Sequence, residues 1–99
     1  MPQERRITLA VSAVHDLEAI RTWYADRQIP EVGERLLNEI FSAVERLADF
    51  PKSGRIVPEL GVHHLREIIH PPFRIVYRID KRNVRIVRVW RSERALKMP

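Results

Sequence analysis

The chain has 99 residues, 44% hydrophobic and 31% charged, with no cysteine; it suits one small domain over residues 1–99 held by packing alone, and disulfides, thiolate chemistry and cysteine-ligated zinc are excluded. No apolar run approaches the roughly 20 residues of a membrane-spanning helix, and no apolar stretch follows the N-terminal Met-Pro-Gln-Glu-Arg-Arg, so a cytoplasmic protein with no membrane partner is expected. The net charge of +5 is unevenly placed: residues 1–50 hold six Lys/Arg against nine Asp/Glu (−3), and residues 51–99 hold twelve against four (+8), which implies an anionic partner such as RNA, DNA or an acidic protein segment.

Ile7-Thr8-Leu9-Ala10-Val11 alternates apolar and other residues and predicts a first strand. Ser12 is a suitable N-cap for a helix whose apolar positions are Val14, Leu17, Ile20 and Tyr24, with Asp16 and Glu18 in its first turns. Pro30 fits the first turn of a second helix, beside Glu31 and Glu34, and the stripe Val32, Leu36, Leu37, Ile40, Val44, Leu47 carries it to Phe50, where Pro51 ends it. So short a link predicts an antiparallel helical hairpin packing one apolar seam onto a sheet.

Residues 51–64 hold two prolines and two glycines without a sustained period and read as a loop. Three strand-like runs follow, Leu65–His70, Phe73–Ile79 and Val84–Trp90, predicting an antiparallel meander. The expected fold is therefore α+β: a strand, two helices, then three strands, giving a four-stranded sheet with the helices on one face and the first strand beside the last. Pairing Ile79 with Val84 would set Tyr77 opposite Ile86, Ile75 opposite Arg88 and Phe73 opposite Trp90. The other face would then gather Arg74, Arg78, Arg85 and Arg91 around Val76, Val87 and Val89, an arginine-rimmed apolar strip suited to an acidic partner segment.

Glycine-rich phosphate loops, zinc-binding His-Glu-x-x-His and nucleophile elbows are absent, so no cofactor is expected. His63 and His64 are adjacent, and neighbours on an extended segment point opposite ways, which makes a poor chelate; no metal site is expected. His15 reads as a helix surface residue. Arginine stays protonated and can hold phosphate or stabilise developing charge, yet hydrolysis would need a separate acid or base. Tyr77 falls on the apolar face and reads as core, and His63 and His64 lie on a loop, so no acid–base pair is evident and no catalytic residue is assigned.

Taken together, Phe50-Pro51-Lys52-Ser53-Gly54-Arg55, Leu65-Arg66-Glu67-Ile68, Phe73-Arg74-Ile75-Val76-Tyr77-Arg78-Ile79 and Val84-Arg85-Ile86-Val87-Arg88-Val89-Trp90-Arg91 resemble the ParE/RelE superfamily of toxins. The element order matches that superfamily over nearly the whole chain. The resemblance implies a toxin neutralised by a cognate antitoxin with an acidic C-terminal tail. RelE-like members are ribosome-dependent endonucleases that typically use a tyrosine or histidine near the C-terminus, whereas this chain ends Arg-Ser-Glu-Arg-Ala-Leu-Lys-Met-Pro after Trp90. The Phe-Pro-x-x-Gly-Arg segment and the Val-Trp-x-x-x-Arg ending are similar to ParE-like members, known as poisons of DNA gyrase. The resemblance thus implies a binding inhibitor of gyrase, with messenger RNA cleavage on the ribosome as the alternative and a toxin fold acting elsewhere as a third. It places Arg66, Arg74, Arg91 and Arg94 at target-binding positions, and Trp90 is expected to pack opposite Phe73.

Overall fold

The computed structural model describes residues 5–92. In chain order the elements are β1 (Arg6–Leu9), α1 (Val11–Asp26), α2 (Pro30–Glu45), β2 (Arg55–Ile56), β3 (Leu65–His70), β4 (Phe73–Ile79) and β5 (Asn83–Arg91), with 3-10 turns at Arg46–Ala48 and Pro51–Ser53. The class is α+β as expected. The sheet, however, has five strands in the order β1-β5-β4-β3-β2. The additional strand is β2, inside the segment expected to be a loop: Arg55 pairs with Glu67 and Ile56 with Arg66. Two residues are too short a run to show a period, which is why its sequence does not announce a strand. The first strand does lie beside the last, but parallel to it, so the sheet is mixed.

The helices form where their apolar residues recur, and their ends differ from expectation. Helix α1 begins at Val11 with Ala10 at the N-cap and no side-chain cap. Ser12 is instead inside the first turn, and its hydroxyl donates to the Val87 carbonyl at 2.7 Å, fixing the helix to the sheet. Helix α2 has Pro30 in its first turn, as expected. It stops at Glu45 and tightens into a 3-10 turn instead of continuing to Phe50. The two helices come close at Gly33, where an added Cβ would lie 2.9 Å from the Tyr24 Cβ.

The core is the space between this hairpin and one face of the sheet. Ile20, Tyr24, Leu36, Leu37, Ile40, Val44 and Leu47 meet Phe73, Ile75, Tyr77, Val84, Ile86 and Val89 there. The β4–β5 register begins as expected, with Ile79 opposite Val84 and Tyr77 opposite Ile86. A bulge then shifts it, so that Ile75 faces Val89 and Phe73 faces Arg91, correcting the expected partners Arg88 and Trp90. Without the extra residue Val87, strict alternation would turn Arg88 into the apolar core and Val89 out of it. Burying an unpaired guanidinium costs far more than the ladder irregularity, so the chain bulges.

Candidate functional site

The sheet face turned away from the helices was expected to be an arginine strip, and it is a neutralised ion network instead. Arg74 is buried, 7% exposed. Its Nε donates to Glu67 Oε1 at 2.8 Å, and its two terminal nitrogens donate to the two oxygens of Glu59 at 2.8 and 2.9 Å, a bidentate pair. Arg55, from β2, donates to the other Glu67 oxygen at 2.6 Å. Two arginines thus meet two carboxylates. The Arg74 hydrogen bonds pull the Glu59 carboxyl down to about 2, helped by its own backbone N–H, and the same bonds raise Arg74 above its ordinary value. Neither Glu59 nor Glu67 stands out in the sequence, although Glu67 is the one acid in the strand run 65–70.

The other expected site arginines are dispersed. Arg66 donates to the carbonyls of His63 at 3.2 Å and Gly54 at 3.1 Å, and so braces the segment around Pro51–Ser53. Arg78 pairs with Asp80 at 3.0 Å on the surface. Arg85 reaches the Thr8 hydroxyl at 3.5 Å. Arg91 does not share the outer face with Arg74: the bulge puts it on the helix side, opposite Phe73, with its guanidinium 4.5 Å from the Trp23 ring centre. Val89 moves with it into the core, and Trp90 lies opposite Arg74 rather than Phe73. Arg94 lies outside the described residues.

Tyr77 is core, as expected, and fully buried. Its hydroxyl donates to the Pro51 carbonyl at 2.6 Å and accepts from the Gly54 N–H at 3.0 Å. Burial raises its pKa. Gly54 is required by this approach, since a Cβ there would sit 2.5 Å from the Tyr77 oxygen and 2.6 Å from the Glu67 carbonyl. His63 and His64 are exposed, as is His15, and among the described residues no three His, Asp or Glu side chains gather to hold a metal. His70 contacts Glu39 of α2 at 2.8 Å, and this hydrogen bond is the main cause of a lowered Glu39 pKa.

Among the described residues, two surfaces are suited to a macromolecular partner. One is a mostly apolar groove along the hairpin, lined by Leu9, Val14, Leu17, Leu37 and Phe41 with Glu18 and Arg21, and Phe41 is 41% exposed. The other is the margin of β3: β2 covers Arg66 and Glu67, leaving Ile68–His70 without a paired strand on that side among the described residues. The overhang of β5 is treated differently, because Asp16 accepts the Val89 N–H at 2.9 Å and Ser12 occupies the Val87 carbonyl. Among the described residues no helix is long and apolar enough to cross a membrane.

Comparison with known proteins places this geometry. The fold is similar to a chain of the chromosomal ParDE toxin–antitoxin system from P. aeruginosa, with a TM-score of 0.77 and 24% identity over 92% of this chain and 99% of that one. It is also similar to a chain of the RelBE2 toxin–antitoxin complex from Mycobacterium tuberculosis, with a TM-score of 0.64 and 20% identity over 89% and 98%. No curated protein is a significant match. The sequence pattern described as the ParE toxin of the type II toxin–antitoxin system parDE matches residues 7–96. Covering both helices and every strand from Ile7 onward, that match establishes that the chain belongs to the ParE toxin family of type II toxin–antitoxin systems.

Proposed function

We propose that this chain is a growth-inhibiting toxin that acts in the cytoplasm by binding DNA gyrase, and that a cognate antitoxin with an acidic tail neutralises it. The observation that favours binding over RNA cleavage is the state of Tyr77. A nuclease needs an acid or base within hydrogen-bond reach of its substrate, and this phenol is buried with its hydroxyl committed to Pro51 and Gly54. In the proposed role the toxin lodges on the gyrase complex and interrupts strand passage or resealing, turning the enzyme into a source of DNA breaks. Arg66, Arg74, Arg91 and Arg94 are the residues assigned to the target.

The antitoxin is assigned to the two open surfaces. An amphipathic helix fits the groove beside Phe41, and an extended segment fits the margin at Ile68–His70. Its acidic tail is assigned to the outer side of the sheet, with Arg78 and Arg85 as the attracting charges, since Arg74 is held by Glu59 and Glu67 and Arg91 faces the helices. The test is to mix the purified protein with DNA gyrase and supercoiled plasmid, denature the protein and look for linear DNA. Dose-dependent linearisation, with ribosome-bound messenger RNA left intact, is expected. Intact plasmid together with cut messenger RNA would overturn the gyrase reading in favour of the ribonuclease.

A further inference from the structure

A third surface lies at the corner of the sheet where β1 begins and β4 turns into β5. Residues 5–8 and 78–85 carry six cations, Arg5, Arg6, Arg78, Lys81, Arg82 and Arg85, against one acid, Asp80. Ile7 and Val84 turn into the core, so alternation sends Arg6, Thr8 and Arg85 to the outer face. There Arg78 stands directly opposite Arg85. Like charges so placed destabilise a sheet, and Asp80 relieves only Arg78, which it holds at 3.0 Å. Arg85 reaches a neutral group, the Thr8 hydroxyl, at 3.5 Å. Among the described residues, Arg6, Lys81, Arg82 and Arg85 form no ion pair with a carboxylate, and the first three are exposed. Asp49 is exposed next to Ala48, whose carbonyl accepts the Arg5 N–H at 2.9 Å. Even with both acids counted, the described part of the corner keeps a surplus of four positive charges.

The corner is also held still. The Arg6 N–H donates to the Arg82 carbonyl at 3.0 Å, the Asp80 N–H to the Asn83 carbonyl at 2.8 Å, and the Arg5 Nε to the Asp80 carbonyl at 3.3 Å. Cations on a pinned turn and a flat sheet give up little backbone freedom when a ligand arrives. A fixed array of this kind suits a ligand with dense, regularly spaced anions. Neither residues 5–8 nor residues 78–85 include an aromatic side chain, so the corner lacks the stacking platform used by single strands. Duplex RNA is read through its 2′-hydroxyl groups as well, whereas this corner is built almost wholly of cations. Duplex DNA carries one negative charge per about 1.7 Å of its axis. We infer that this corner binds duplex DNA through its phosphates, held by Arg6, Lys81, Arg82 and Arg85, without reading base sequence. The acidic antitoxin tail is assigned to Arg78 and Arg85 as well, so tail and duplex exclude one another. Binding of the duplex is measured on the toxin alone and rests on neither antitoxin nor gyrase.

The test is fluorescence anisotropy of an end-labelled DNA duplex of about 20 base pairs, titrated with the purified toxin at low salt. Anisotropy is expected to rise saturably. The logarithm of the affinity should fall with that of salt concentration at a slope of about −3.6 for four phosphate contacts. Lys81→Glu combined with Arg82→Glu, in the exposed turn, is expected to weaken binding about tenfold or more and to halve that slope. Arg27→Glu combined with Arg35→Glu makes the same change of net charge on the helical hairpin, where both arginines are exposed, and should keep the affinity within about threefold. Far-ultraviolet circular dichroism of both variants should match the parent chain. Unchanged anisotropy at low salt would overturn the inference, as would full affinity in the turn variant or an equal loss in the hairpin variant. A single strand, an RNA duplex or polyglutamate bound as tightly as the DNA duplex would assign the corner to another anion and overturn it too.

Discussion

Glu59 is the exposed end of a line of charge that runs inward through Arg74 to buried Glu67 and out again to Arg55. Its folded pKa, about 2, lies below the ordinary carboxylate value. A depressed carboxylate contributes stability that is fully present above its unfolded pKa and is lost as pH falls through its folded pKa. Glu59→Gln is therefore expected to lower the melting temperature at pH 7, and the gap to the parent chain should close between about pH 4.5 and pH 2. Thermal unfolding followed by circular dichroism across that range checks it, and a gap that does not narrow toward pH 2 contradicts it. Tyr77→Phe leaves the Pro51 carbonyl and the Gly54 N–H without their partner in a dry site, which should cost about 1–3 kcal/mol in denaturant unfolding. The sequence placed Tyr77 in the core from its alternation alone. It could not show what the hydroxyl does, because the carbonyl it binds is 26 residues away, in a 3-10 turn of three residues.

At the level of elements, Asp16 acts as a plug on the sheet margin. Strand β1 pairs with β5 only as far as Ile86, and beyond that the side chain of Asp16 replaces a strand by accepting the Val89 N–H and two Arg88 donors. An uncovered strand margin is a template for pairing with another chain, so a carboxylate there also blocks unwanted association. Asp16→Ala should speed hydrogen exchange of the Val89 amide ahead of its β5 neighbours and cost about 1–3 kcal/mol; an unchanged Val89 rate would refute the plug. Much of this architecture was legible in the sequence. Both helices followed from their 3.6-residue stripes, and the three later strands from alternation between turn residues. The five-strand count was not, since Arg55-Ile56 gives no period. Nor was the face of Arg91, because a bulge of one residue reverses every assignment after it. The dispersal of the arginines follows from the same cause together with Glu59, whose partner Arg74 lies 15 residues further along the chain.

For the whole molecule the decisive quantity is the charge of each layer. Helices α1 and α2 hold two arginines against seven acids (−5), and strands β3 to β5 hold six arginines against one acid (+5). The two layers thus differ in sign, although Glu59 on Arg74, Asp80 on Arg78 and Asp16 on Arg88 offset part of the charge of the sheet. An acidic antitoxin tail is drawn to the sheet side and repelled from the helices, so the segment that fills the groove by Phe41 must bind through apolar contact and carry little negative charge of its own. Steering of this kind acts on encounter more than on residence. Raising salt from about 0.05 to 0.5 M shortens the screening length to a few ångströms, and association with the cognate antitoxin should slow about tenfold or more, with dissociation changed far less. Stopped-flow mixing measures both rates. A peptide limited to the acidic tail should retain the salt dependence, and an antitoxin lacking that tail should lose it. An association rate indifferent to salt in the full antitoxin would mean that the apolar groove, rather than the charge of the sheet, makes the first contact.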